Sequence, residues 1–285
     1  DEYTVTFNVQ NVNEAPAGTN NTVTTLEDTQ YTFTTANFGF TDPSDTPANT
    51  LQSVVFTTVP VVGSLTLSGV AVTAGQEITA ANIASGLLKF TPAANANGAG
   101  YASFTFQVRD NGGTANGGVD LDPTPNTMTI DVTSVNDAPS GTDNTVTTLE
   151  DTQYTFTTAN FGFSDPVEGH TLSAVVITTL PAAGTLTLSG VAVTAGQAIS
   201  AANITSGLLK FAPAANANGA GYASFTFQVR DSGGTANGGV DTDQTPNTMT
   251  IDITSVNDAP DGTDNTLTVL ENHVYTFAAG NFGFT

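Results

Sequence analysis

The 285-residue sequence has no cysteine and no tryptophan, and only 4 Lys+Arg against 26 Asp+Glu. Without cysteine there is neither a disulfide nor a thiolate metal site. Each fold must be held by packing, hydrogen bonds or a hard cation. A net charge of −22 sets the chain against nucleic acid and anionic membrane, whose phosphates need Lys and Arg. Charged residues make up 11%, against roughly 25% in an average soluble domain. No apolar run reaches the roughly 18 residues of a membrane-spanning helix, so no membrane insertion is expected. The two histidines, His170 and His273, sit at unrelated places with no counterpart earlier in the chain. No serine has a fixed histidine partner, so no nucleophilic triad is read. The Gly-Gly pairs at 112–113 and 117–118 lack the helix start and lysine of a phosphate cradle. The sequence therefore reads as non-enzymatic.

What is present is repetition. The hydrophobic content of 39% is enough to fill cores. The hexapeptide Asn11-Val12-Asn13-Glu14-Ala15-Pro16 returns as Ser134-Val135-Asn136-Asp137-Ala138-Pro139 and as Ser255-Val256-Asn257-Asp258-Ala259-Pro260. The period is about 122 residues, long enough for one domain each. Residues 1–12 are expected to be the last strand of a preceding repeat. Residues 13–135 and 136–256 form whole repeats, and 257–285 begin another. The chain reads as a section of a longer one, whose ends are not true termini. Each hexapeptide follows an alternating run and ends in proline, which stops a strand and stiffens the exit. It reads as an interdomain joint whose Asn and carboxylate supply oxygen ligands.

Within a repeat the apolar positions alternate. Tyr31 and Phe33, Leu65 and Leu67, Leu88 and Phe90, and Phe104, Phe106 and Val108 each mark one face of a strand, as do Met128, Ile130 and Val132. Tyr154, Phe156, Leu186, Phe225, Phe227 and Val229 repeat the pattern. Val5, Phe7 and Val9 alternate in the same way at the start. Thr79 is a candidate N-cap and Gly86 a stop for one helical turn. About seven strands per unit with one short helix predict an all-β chain of tandem antiparallel β-sandwiches.

The run Val135-Asn136-Asp137-Ala138-Pro139, with Leu149-Glu150-Asp151-Thr152, Gly184-Thr185-Leu186-Thr187-Leu188 and Phe225-Thr226-Phe227-Gln228-Val229-Arg230-Asp231, resembles the bacterial cadherin-like, VCBS-type or Ig-like tandem repeats of giant secreted adhesins. The resemblance covers the whole chain. It implies an extracellular location, at the cell surface or secreted, and a rod segment serving cell adhesion or biofilm attachment. It also implies Ca²⁺ at the joints. In cadherins the joint reads Asp-x-Asn-Asp-Asn-Ala-Pro. Here Thr133 and Val135 replace two of its ligands, and the cadherin Asp-Arg-Glu stretch falls near Ala215-Asn216-Ala217-Asn218, which has no carboxylate. One or two ions per joint are expected rather than three. The implied ligands are Asn13, Glu14, Asp42, Asp45 and Asp110 at the first joint. At the middle joint they are Glu27, Asn136, Asp137, Asp165, Glu168 and Asp231, and at the third Glu150, Asn257 and Asp258.

Plainer readings stand beside these. Asp and Asn are common turn and cap residues. Asp120, Asp122, Asp241 and Asp243 are either a second ion site or a solvated acidic loop. Lys89 and Lys210 suit surface ion pairs better than an amide crosslink to asparagine. The expected partners are neighbouring repeats, with self-assembly into fibres, and a surface receptor or glycan. The alternative function is a carbohydrate- or protein-binding module on a secreted protein.

Overall fold

The computed structural model describes residues 2–283. The expectation that Asp1 and Thr285 are not true termini falls on residues outside that range. The chain divides into two units. One holds the residues up to Asn136 together with Thr235–Gly239, the other Asp137–Gly234 and the residues from Val240.

In the first unit, nine strands follow in order: β1 Asn21–Leu26, β2 Tyr31–Thr32, β3 Leu51–Phe56, β4 Ser64–Leu67, β5 Val70–Ala71, β6 Glu77–Thr79, β7 Leu88–Thr91, β8 Gly98–Asp110 and β9 Asn126–Thr133. One five-residue helix, α1 Ala80–Ala84, falls between β6 and β7. Its cap is the one the sequence suggests, with Thr79 accepting from Asn82 N and Gly86 at φ +70° just beyond. The strands make a five-stranded sheet, β1-β9-β8-β3-β6, and a four-stranded sheet, β2-β7-β4-β5. The two sheets form a sandwich. All pairings are antiparallel except β1 with β9, which run parallel from Asn21↔Met128 to Leu26↔Thr133.

Alternation in the sequence becomes burial. Phe33, Phe56, Phe90, Phe106 and Val108 are wholly buried, and Phe104 and Leu65 nearly so. Tyr31 packs against this core at its edge. Phe106 meets Phe38 edge-on, with centroids 4.9 Å apart. Such pairs add to burial because ring edges and faces carry opposite partial charge.

The second unit repeats this order. Its strands are β10 Asn144–Leu149, β11 Tyr154–Thr155, β12 Leu172–Ile177, β13 Thr185–Leu188, β14 Val191–Ala192, β15 Ala198–Ser200, β16 Leu209–Ala212, β17 Gly219–Asp231 and β18 Asn247–Thr254, with α2 at Ala201–Thr205. The sheets are β10-β18-β17-β12-β15 and β11-β16-β13-β14. Phe156, Phe227 and Val229 are fully buried, Phe225 and Leu186 nearly so, and Tyr154 sits at the core's edge.

The expected strand at Val5–Val9 is not formed. Residues 2–10 carry no strand, and Tyr3, Val5, Phe7 and Val9 are exposed. Alternation alone does not hold a strand, which needs neighbours to take its backbone hydrogen bonds. Among the described residues from 257 on there is no strand either; the one regular element is a single 3-10 turn, Ala279–Phe282.

Candidate metal centre

In the first unit β8 carries the chain from one end of the sandwich to the other. Its start, Gly98, pairs with Val132, and its last residue, Asp110, pairs with Leu51. At the Asp110 end, the loop before β3 and the peptide Asn11–Glu14 converge. Asn13 Nδ2 donates to Asp110 Oδ1 at 3.0 Å and to the Val119 carbonyl at 2.8 Å. Asp45 accepts from Asn11 Nδ2 at 3.0 Å and from Glu14 N and Asn49 Nδ2 at 3.2 Å each. Asn49 also donates to Asn13 Oδ1, and its backbone N–H donates to Asp42 Oδ2 at 3.0 Å. Five predicted ligands, Asn13, Glu14, Asp42, Asp45 and Asp110, thus come together at one pole.

The cluster is short of positive charge. Asp42, Asp45 and Asp110 are all at least nine-tenths buried. Asp42 Oδ1 and Asp110 Oδ2 are buried and accept no hydrogen bond. Leaving a buried carboxylate oxygen without a donor is costly. Burial raises the Asp110 carboxyl above its ordinary value. The Glu14 carboxyl is raised too, first through its shared hydrogen bond with Asp45. A hard oxygen-seeking cation relieves all of this at once, and carboxylates with an amide oxygen are its preferred donors.

The second unit builds the same pole from Asp137, Asp165, Glu168, His170 and Asp231. Asp137 N donates to Glu168 Oε2 at 3.3 Å, as Glu14 N does to Asp45. His170 N donates to Asp165 Oδ2 at 2.8 Å, as Asn49 N does to Asp42. Gly233 N donates to Asp231 Oδ1 at 2.8 Å, the counterpart of Gly112 N and Asp110 Oδ1. Acid length is exchanged between positions: Glu14 and Asp45 in one repeat, Asp137 and Glu168 in the other. Asp165 Oδ1 and Glu168 Oε1 are buried without a hydrogen-bond partner. Burial raises the Glu168 carboxyl. Ligand atoms of Asp165, Glu168 and His170 lie within 4.8 Å of one another.

The other predicted residues are placed differently. Glu27 lies beside the end of β9, where its own N–H donates to the Thr133 carbonyl at 2.9 Å. Glu27 Oε1 accepts from Val135 N and from Ser134 Oγ at 3.3 Å, and Oε2 from Asn97 Nδ2 at 3.0 Å. Glu150 does the same with Val256 N, Ser255 Oγ and Asn218 Nδ2. The Val256 N–H, followed by Asn218, holds the Glu150 carboxyl below its ordinary value. These two glutamates pin each repeat's last strand to the loop before its longest strand. Asn136 is buried, whereas Asn257 and Asp258 are exposed and Asn257 Nδ2 donates to the Asp258 carbonyl at 3.1 Å.

Asp122 and Asp243 follow neither reading of the acidic loop: both are buried and not solvated, and they act as hydrogen-bonded brackets. Asp122 accepts from Gly18 N at 2.8 Å, Asn126 Nδ2 at 2.7 Å and Thr124 N at 2.9 Å. Asp243 accepts from Gly141 N, Asn247 Nδ2 and Thr245 N. Their oxygens are filled by donors. Arg109 pairs with Asp120 at 2.8 Å and Glu77 at 3.1 Å. Among the described residues neither Lys89 nor Lys210 has an ion-pair partner, contrary to expectation: their facing cross-strand neighbours are threonines, Thr32 and Thr66 for Lys89 and Thr155 and Thr187 for Lys210.

Three site residues were not read from the sequence: Asn11, Asn49 and His170. The signal for the last two was an alignment of Asp42–Asn49 with Asp165–His170, allowing a two-residue shortening of the loop.

No curated protein matches the chain in sequence. Among solved structures, EC1-2 of human mucin-like protocadherin is 15% identical over 85% of this chain and 98% of its own, with a TM-score of 0.40. EC21-23 of human CDH23 is 15% identical over 85% of this chain and 75% of its own, with a TM-score of 0.43. Protocadherin gamma B2 domains 3-6 are 14% identical over 85% of this chain, with a TM-score of 0.45, and the match spans 53% of that protein's chain. Residues 13–122 and 136–243 each match the family described as bacterial Ig domain. Those two segments make up most of the sequence: the chain belongs to the bacterial Ig domain family, which it carries in two tandem copies.

Proposed function

We propose that this chain is a structural segment of an extracellular bacterial adhesin or surface fibre, and that each repeat binds Ca²⁺ at the pole where its joint peptide enters. The observation that carries the reading is the set of buried carboxylate oxygens left without donors at Asp42, Asp110, Asp165 and Glu168. Asn13, Glu14, Asp42, Asp45 and Asp110 would hold the ion in the first repeat. Asp137, Asp165, Glu168 and Asp231 would hold it in the second. The ion would tie Asn13 and Glu14, or Asp137, to the body of the domain and so restrain the joint. Extracellular calcium modules bind at about 10⁻⁴–10⁻³ M, a range that suits the outside of a cell.

Glu27 and Glu150 would act first as latches on the exit strand, since their oxygens already accept several donors. Asn257 and Asp258 would become ligands only when a following repeat supplies the matching acids. Bacterial Ig domains are typically structural or adhesive modules, and we read this chain as non-enzymatic. Its partners would be neighbouring repeats and a receptor or glycan on another surface. Hydrogen exchange of the joint peptides, with and without Ca²⁺, tests the reading. Exchange in Asn11–Glu14 and at Asp137 should slow on calcium addition. Equal exchange in both states would count against the proposal.

A further inference from the structure

The two repeats do not carry equivalent donors. Asn49 and His170 occupy matching places, each with its backbone N–H on the first acid of the loop, Asp42 or Asp165. Asn49 offers an amide group, and its Nδ2 donates to Asp45 Oδ2 and Asn13 Oδ1. That donor partly satisfies the first cluster from within. His170 offers no such bond. Its Nδ1 is buried, has no hydrogen-bond partner and lies 3.5 Å from Asp165 Oδ2.

The Asp165 side chain beside it is only 2% exposed, and its Oδ1 is unpartnered. Glu168 Oε1 is unpartnered as well. The three residues' ligand atoms fall within 4.8 Å of one another, close enough for one ion with bonds of about 2.0–2.2 Å after small adjustments. We propose that the pole of the second repeat binds a borderline divalent transition-metal ion of the Zn²⁺ class through His170, Asp165 and Glu168, whereas the first repeat's all-oxygen pole accepts only a hard cation.

The chemistry follows from donor type. Imidazole nitrogen is a poor ligand for Ca²⁺, which takes oxygens, and a good one for Zn²⁺. The imidazole is 34% exposed, so water can complete the coordination shell. This inference rests on the cation-site reading above and refines it for one repeat.

The test uses the full chain, stripped with chelator, and titrates Zn²⁺ alone and Ca²⁺ alone by calorimetry. The variants are His170→Asn, which installs the residue the first repeat carries, and His273→Asn as a control for the exposed second histidine. NMR of the imidazole protons reports on the ring directly. Zn²⁺ affinity should fall at least about tenfold in His170→Asn and stay unchanged in His273→Asn, with His170 resonances shifting on zinc addition. Calcium affinity should change less than about threefold, since the hard oxygens remain. Equal zinc binding by wild type and His170→Asn, or no zinc binding by wild type, would overturn the inference whatever calcium does. Zinc binding through His170 with no calcium binding would uphold it and defeat the calcium reading instead.

Discussion

Asn13 and Asp110 are 97 residues apart in the chain and share a 3.0 Å hydrogen bond. That bond joins the peptide entering a repeat to the last residue of the repeat's longest strand. Asp110 is fully buried and its other oxygen has no donor. One oxygen of this carboxylate therefore anchors the joint peptide, and the other is the one the proposed cation would take.

Stability should respond to this arrangement. At a calcium concentration of 100 times the dissociation constant, binding to the folded state alone adds about 2.7 kcal/mol per site. In Asp110→Asn that gain should vanish for the first repeat. Without calcium the same variant should be no less stable than wild type, because an uncompensated buried charge has gone. Thermal unfolding with calcium and with chelator reads both effects.

The aromatic core sets the stability of each sandwich. Phe106 and Phe227 are fully buried and meet Phe38 and Phe161 edge-on at 4.9 and 5.0 Å. Phe106→Ala should cost about 3–5 kcal/mol. Urea unfolding should show a loss confined to one of two transitions, the other being that of the unchanged repeat.

Gly39 sits at φ +57°, where an added Cβ would come 1.8 Å from Thr19 Oγ1. Its counterpart Gly162 meets Thr142 Oγ1 in the same way. Gly39→Ala should destabilise by more than about 1 kcal/mol, through both the left-handed backbone and the clash. A midpoint equal to wild type would show that the turn can relax.

Acid should loosen the exit latch. Backbone N–H donation from Val256 lowers the Glu150 carboxyl, so the folded state holds it ionised more firmly than the unfolded state does. Its contribution is present above the unfolded value of about 4.5 and is lost as pH falls through the lowered folded value. In Glu150→Gln this part of the acid dependence should disappear. Urea midpoints between neutral pH and acid, compared between the two proteins, give the answer.

Strand faces were legible in the sequence because side chains alternate with period two. Phe104, Phe106 and Val108 needed nothing else. The helix was legible from Thr79 and Gly86. The parallel pairing of β1 with β9 was not, since alternation says which face a residue takes and not which strand lies beside it. At the pole, acids next to prolines were legible as ligand types. Asn49 was missed because a neutral amide gives no charge signal. His170 was missed because the loop is two residues shorter in the second repeat and hides its match to Asn49. Glu27 looked like one more acid, and only the folded chain shows it filled by Val135, Ser134 and Asn97.

Calorimetric titration of the chelator-treated chain with Ca²⁺, beside Asp110→Ala/Asp231→Ala, tests the cation sites most directly. Wild type should bind saturably with a dissociation constant of about 10⁻⁴–10⁻³ M. The double variant, folded by circular dichroism, should bind at least about tenfold more weakly. Equal binding by both proteins, or none by wild type, would contradict the account and leave the buried acids as turn residues.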